Sequence, residues 1–193
     1  MSMLIDLLPT TVEVDGVEYD ISSNFRDSIL FEILMQDTNI SERDKLVLGL
    51  QYYYRDNIPE NIKEAVEKML WFYRCGKEEV EAKGVGSEED VSQVYSYEHD
   101  DDYIYAAFLD QYGIDLQDVE DLHWWKFKAM FKSLKEDNKI SKIMGYRAMK
   151  IDNDMSDSEK KFYREMKQIY SLPDLRTAEE KELDFHDALS SLL

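Results

Sequence analysis

Apolar positions recur along most of this chain at intervals of three and four residues, the spacing of an amphipathic α-helix. The stripes predict about six to eight helices in all. The main ones are expected at about 25–36, after the Ser41–Asp44 capping box, from Pro59 in its first turn, from Tyr97 to Gly113, over 122–134, over 138–149, and from Ser156 to Pro173. Gly76 and Gly113 stand where helix-ending glycines belong.

Residues 11–21 have a different period. Their apolar side chains alternate with polar ones around Asp15-Gly16, a two-residue turn that favours a β-hairpin. The turn pairs Val14 with Val17 and Val12 with Tyr19 on one face. A lone hairpin is marginal in water, so this face should lie on the helices. The predicted fold class is mainly α, a multi-helix globular bundle with one N-terminal β-hairpin packed on it.

One helical domain is predicted over residues 1–173, a length that buries a core without disulfides. Within it, residues 77–96 hold many carboxylates and little bulk, which predicts a solvated acidic loop. Residues 174–193 are predicted to form a polar C-terminal tail. Four apolar residues of that tail, Phe185, Ala188, Leu189 and Leu192, have helical spacing.

The net charge is −19, the opposite of a uniform nucleic-acid binder. No apolar run approaches the length of a membrane span, so neither nucleic acid nor membrane is an expected partner. Charge is segregated: residues 76–120 carry a net −12 and residues 121–150 a net +5. The two segments are expected to pair within one chain, or alternatively head-to-tail between copies.

The acidic run 98–102 (Glu98, His99, Asp100, Asp101 and Asp102) is the one cluster that resembles a metal or nuclease site. Consecutive residues of a helix point in different directions, however, so few of these side chains can meet one ion. Helix capping and the helix dipole explain the run better. With one cysteine, Cys75, and no phosphate-binding or nucleophile motif, we predict no catalytic residue, metal or cofactor.

The helix predicted over 122–134 is apolar nearly all round, which is typical of a helix at the centre of a core. Two apolar strips on this helix flank a narrow cationic stripe. The alternative to a position at the centre of the core is that one of these strips faces a partner. The residues of this hypothetical partner surface are Trp124, Trp125, Lys128, Lys132 and Lys135.

Several stretches of the chain are similar to the "gene product 15" family of tailed phages that infect Gram-positive bacteria. They are YIYAAFLDQYGIDL at 103–116, LHWWKF at 122–127, IMGYRAMK at 143–150 and TVEVDGVEYDISSNFRDSILFE at 11–32. The resemblance implies a helical protein of the phage tail module. Within the tail module, it implies the role of a tail assembly chaperone. Such chaperones coat the apolar, helical tape measure protein and are displaced as tube subunits polymerise.

The resemblance further implies the tape measure protein as partner, with the tail tube protein and further copies of the chain as additional partners. It places the protein in the host cytoplasm during assembly and outside the mature virion. A structural tail or connector component of the virion is the alternative. A metal-dependent nuclease that uses the 98–102 run is the remote one.

Overall fold

The computed structural model describes residues 2–77 and 93–173, and it confirms the mainly-α fold with one N-terminal hairpin. The elements in chain order are β1 (Thr11–Val14), β2 (Val17–Asp20), α1 (Phe25–Gln36), α2 (Glu42–Tyr54), α3 (Ile62–Tyr73), α4 (Asp101–Tyr112), α5 (Trp124–Lys132), α6 (Lys139–Ala148) and α7 (Asp157–Ile169). The predicted tail and most of the predicted acidic loop, 78–92, lie outside the described residues.

The hairpin has the predicted register, with Val12 opposite Tyr19 and Val14 opposite Val17. Val12 and Val14 are buried, whereas Val17 beside the turn is exposed. The turn is fastened to α3, because the Asp15 amide donates to the Glu64 carboxylate at 2.9 Å. The apolar face of the hairpin therefore lies on the helical body, chiefly on α3.

Two of the predicted helix starts are confirmed by their caps. The Asn24 side chain accepts a hydrogen bond from the Arg26 amide at 3.0 Å and begins α1. The Ser41 hydroxyl accepts from the Asp44 amide at 3.2 Å and begins α2. Each cap satisfies an amide that has no partner inside the helix.

The predicted start of the third helix at Pro59 is wrong. Helix α3 begins at Ile62, and Asn61 is its N-cap, accepting from the Glu64 amide at 3.3 Å. Proline is tolerated in the first turn of a helix because its missing amide proton would have no partner there. Asn61 instead supplies a side-chain acceptor for an amide of the first turn, and this acceptor fixes where the helix starts.

Both predicted helix-ending glycines have positive φ. Gly113 follows α4 at φ 65° and its amide donates to the Leu109 carbonyl at 3.0 Å. Gly76 follows α3 at φ 70°, and its amide donates to the Trp71 carbonyl at 3.0 Å. A Cβ on Gly76 would lie 2.8 Å from the Trp125 ring, so this position needs glycine for space as well as for conformation.

Helix α5 runs through the middle of the core. Its Phe127 ring stacks on four neighbours: Phe108 with ring centroids 4.8 Å apart, Phe25 at 5.0 Å, Trp124 at 5.8 Å and Phe131 at 6.2 Å. These rings come from α4, α1 and α5, so Phe127 joins three helices. The central position predicted for α5 is confirmed, although the helix is shorter than the 122–134 predicted.

The last two helices form an outer layer. Helix α7 packs mainly against α6, and α6 in turn packs against α4. None of the residues of α7 is buried, although the helix is strongly amphipathic. The α6–α7 pair therefore packs against the rest of the protein mainly through the contact of α6 with α4.

We expect Gly76→Ala to lower the free energy of unfolding by about 1–3 kcal/mol, because the new methyl would collide with Trp125 at a strained φ. Gly145→Ala within α6 is the matched control. Its Cβ meets nothing within 4 Å, so stability should rise by about 0.5–1 kcal/mol. Urea denaturation measures both variants, and a loss of equal size in the two would contradict this account.

Candidate partner-binding surface

Trp124 and Trp125, the aromatic half of the hypothetical partner surface, are both buried. The indole N–H of Trp124 donates to the Tyr73 carbonyl at 2.9 Å, and that of Trp125 donates to the Phe72 carbonyl at 2.8 Å. These carbonyls lie at the end of α3, where no later residue of the helix can donate to them, although the Phe72 carbonyl also accepts from the Cys75 amide at 2.9 Å. The two rings cap α3 and are not exposed to a partner. The structure therefore shows both tryptophans as part of the core.

The starts of α1 and α5 are held side by side. Asn24 and His123, the two N-cap residues, form an isolated antiparallel bridge. His123 Nδ1 accepts from the Trp125 amide at 3.1 Å, and Nε2 lies 3.0 Å from the Pro9 carbonyl oxygen. A neutral ring that carries its proton on Nε2 satisfies both contacts. Burial lowers the pKa of His123 below its ordinary value of 6.5.

The three lysines of the hypothetical surface differ in their surroundings. Lys128 is half-buried, 3.9 Å from the Glu32 carboxylate, with its ammonium 4.9 Å from the Trp124 ring centroid. Burial lowers the pKa of the Lys128 ammonium. Lys132 and Lys135 are exposed, and their contact with a partner stays a prediction.

In the acidic run 98–102, Asp101 and Asp102 lie in the first turn of α4, as the helix-dipole explanation predicts, whereas Asp100 has a different role from the one predicted. Asp100 precedes α4 but makes no capping bond to that helix. Its buried carboxylate instead receives two hydrogen bonds from the Arg147 guanidinium, at 2.6 and 2.9 Å, and one from the Ser96 amide at 2.9 Å. Within residues 2–77 and 93–173, no group of three or more His, Cys, Asp and Glu side chains is placed to hold a metal ion.

Arg147 connects four segments of the chain: its own helix α6, the end of α7, residues 93–96 and the start of α4. Besides Asp100, it donates to the Val94 carbonyl at 3.0 Å and to the Tyr170 carbonyl at 2.6 Å. Its own carbonyl accepts from the Lys167 ammonium at 2.7 Å. The side chain thus fastens the end of α7 and residues 93–96 to the start of α4. Sequence spacing holds no signal of this, because Arg147 and Asp100 lie 47 positions apart.

One ion pair between described residues joins the acidic segment 76–120 to the basic segment 121–150. It is formed by Arg147 and Asp100, whose charged atoms lie 2.6 Å apart. This contact is an instance of pairing within the chain, the first of the two sequence expectations.

The exposed apolar face of the α6–α7 pair is the strongest candidate for a docking surface. Tyr146 of α6 contacts Phe162 and Tyr170 with ring centroids 6.0 Å apart in each case. Beyond this contact the face is open: Phe162 is 45% exposed and Ile169 is 64% exposed. We call Tyr146, Phe162, Met166, Ile169 and Tyr170 the α7 face. Sequence periodicity predicted the α7 stripe but not that it would stay uncovered.

The fold and this face describe a helical protein with an outer amphipathic helix. Among residues 2–77 and 93–173, none of the helices has the length and apolar character that a membrane span requires. Residues 4–172 match the family model described as "Bacteriophage Gp15 protein". The chain belongs to this phage protein family. Comparisons with curated proteins and with solved structures give no match.

We expect Arg147→Met to lower the free energy of unfolding by about 3–5 kcal/mol, because Asp100 would remain buried without its counter-charge. Arg164→Met, on an exposed position of α7, is the matched control and should change stability by no more than about 0.5 kcal/mol. Urea denaturation measures both. Equal effects of the two substitutions would show that the Arg147 contacts do not hold the outer layer.

We expect the stability of the protein to fall as the pH decreases from about 7.5 to 5.5. The folded pKa of His123 lies below its ordinary 6.5, so the unfolded chain takes up the proton first. His123→Asn keeps an N-cap acceptor but does not titrate, and its stability should depend less on pH over this interval. Parallel pH profiles for the two proteins would contradict a buried neutral His123.

Proposed function

We propose that this phage protein is a tail assembly chaperone that binds the tape measure protein during tail morphogenesis and carries out no catalysis. Family membership establishes a phage protein. The tape measure role comes from the resemblance to tail-module proteins, and the observation that carries it is the uncovered α7 face.

The α7 face suits a helical, apolar partner. An amphipathic helix that lies beside another helix provides a groove into which a third helix can pack. Here Tyr146 lies between Phe162 and Tyr170, and Ile169 extends the apolar strip toward the end of α7. Met166 adds a flexible side chain, which adapts to different apolar sequences. A tape measure protein offers such sequences along its whole length.

The size of the face favours weak and reversible binding. Burying an exposed apolar side chain contributes about 1.5–3 kcal/mol, and association costs about 4–15 kcal/mol in lost freedom. Two or three side chains barely offset that cost. Many copies bound weakly along one tape measure molecule can therefore keep it soluble and still leave as tube subunits polymerise.

Net charge contributes to the same role. A charge of −19 on each copy gives a coated tape measure a strongly negative surface, which opposes aggregation of the complex. Under this proposal the protein acts in the host cytoplasm and is absent from the mature virion.

Co-expression with the cognate tape measure protein tests the proposal. We expect the wild-type chain to keep the tape measure soluble and to elute with it on size exclusion. Phe162→Ser combined with Ile169→Ser should weaken this binding about tenfold or more, because two apolar anchors are lost.

Leu109→Ser is the matched control, since Leu109 is an exposed leucine on α4, away from the α7 face. It should retain the complex. An insoluble tape measure in the presence of the wild-type chain would contradict the proposal. So would mass spectrometry of purified particles that finds the protein in stoichiometric amounts, which would support a structural virion component.

A further inference from the structure

A short apolar segment precedes the hairpin, and three of its large side chains are almost fully exposed. Leu4, Ile5 and Leu7 are 96%, 85% and 93% exposed. The segment is ordered into one turn, because the Ser2 carbonyl accepts from the Ile5 and Asp6 amides at 3.1 and 2.9 Å. We call residues 2–7 the apolar arm. Three large aliphatic side chains within four residues are costly in water, so binding to an apolar site would stabilise the arm.

A site of matching chemistry lies between α1, α2 and α3. It is an open apolar pocket of about 160 Å³. Its lining consists of Phe31, Met35, Leu46, Val66, Met69 and Leu70, with Glu42 and Lys45 beside them. Met35 and Leu46 are themselves partly exposed at its edge. A cavity of about 150 Å³ holds a molecule the size of benzene, so this pocket is large enough for one leucine or isoleucine side chain.

The arm of the same chain is badly placed to fill this pocket. Pro9, where the arm leaves the body, contacts His123, which is bridged to Asn24 at the start of α1. Met35 lies eleven residues further along, about 16 Å away at 1.5 Å per residue. Leu7 reaches at most about 7 Å from Pro9, and Leu4 reaches about 17 Å only if the Ser2–Asp6 turn opens and the whole arm becomes fully extended.

We propose that the apolar arm of one copy docks into the α1–α2–α3 pocket of a second copy. Donor and acceptor are different surfaces, so the contact is head-to-tail: the donor copy retains a free pocket and the acceptor copy retains a free arm. Such a contact generates rings or open chains. The few side chains involved make each contact weak, so assembly depends on protein concentration.

Sedimentation equilibrium of the full chain alone tests this contact over a range of concentrations. The average mass of the wild type should rise with concentration. Leu4→Ser combined with Leu7→Ser removes the donor, and Leu46→Glu places a charge at the edge of the acceptor. Each variant alone should associate at least tenfold more weakly, and Leu109→Glu, on exposed α4 surface, should behave as the wild type.

Mixing the two variants gives the decisive result. The donor variant keeps its pocket and the pocket variant keeps its arm, so the mixture should form a 1:1 dimer that grows no further. Circular dichroism checks that each is folded, and Met35→Glu replaces Leu46→Glu if the latter is not. A monomeric wild type, a monomeric mixture, or a donor variant that associates like the wild type would overturn the proposal. Because no tape measure protein is present, such a failure would leave the chaperone role untouched.

Discussion

The structure depends on the capping of α3 by two tryptophans of α5. The last carbonyls of a helix have no partner within it, and in a core they are costly unless something donates to them. Trp124 and Trp125 supply two indole N–H donors together with two large apolar rings. Because adjacent residues carry them, the end of α3 fixes both the position of α5 and its rotation. Position 76 requires glycine because the Trp125 ring leaves no space for a side chain there.

The other parts of the body follow from the position of α5. Its N-cap segment pairs with that of α1, and its Phe127 stacks on rings from α1 and α4. The α6–α7 pair lies outside this body and is fastened to it by Arg147. The core residues determine the fold, whereas the outer helix α7 leaves an apolar strip exposed.

Local signals in the sequence predicted the elements well. Asp15-Gly16 determined the register of the hairpin, Ser41 marked a helix start, and Gly113 marked a helix end. Where two local signals competed, as Pro59 and Asn61 did, the residue that supplies a hydrogen-bond acceptor decided the boundary.

Long-range pairing could not be predicted in the same way. Asp100 was expected to cap a helix, because nothing in its surroundings indicates a partner as distant as Arg147. Sequence periodicity predicted an apolar stripe on α7, and only packing shows that this stripe stays open. The sequence assigned the hypothetical partner surface to Trp124, Trp125, Lys128, Lys132 and Lys135. The structure buries the two tryptophans, and the surface that we propose instead is the open α7 face.

The measurement that tests the central claim most directly is hydrogen–deuterium exchange of the complex with the tape measure protein, compared with the free chain. The account predicts slower exchange in α7 (Asp157–Ile169) and in α6, which form the proposed docking surface, and unchanged exchange in α5 at the centre of the core. A complex that forms while exchange in α7 stays unchanged would contradict the claim that the α7 face binds the partner.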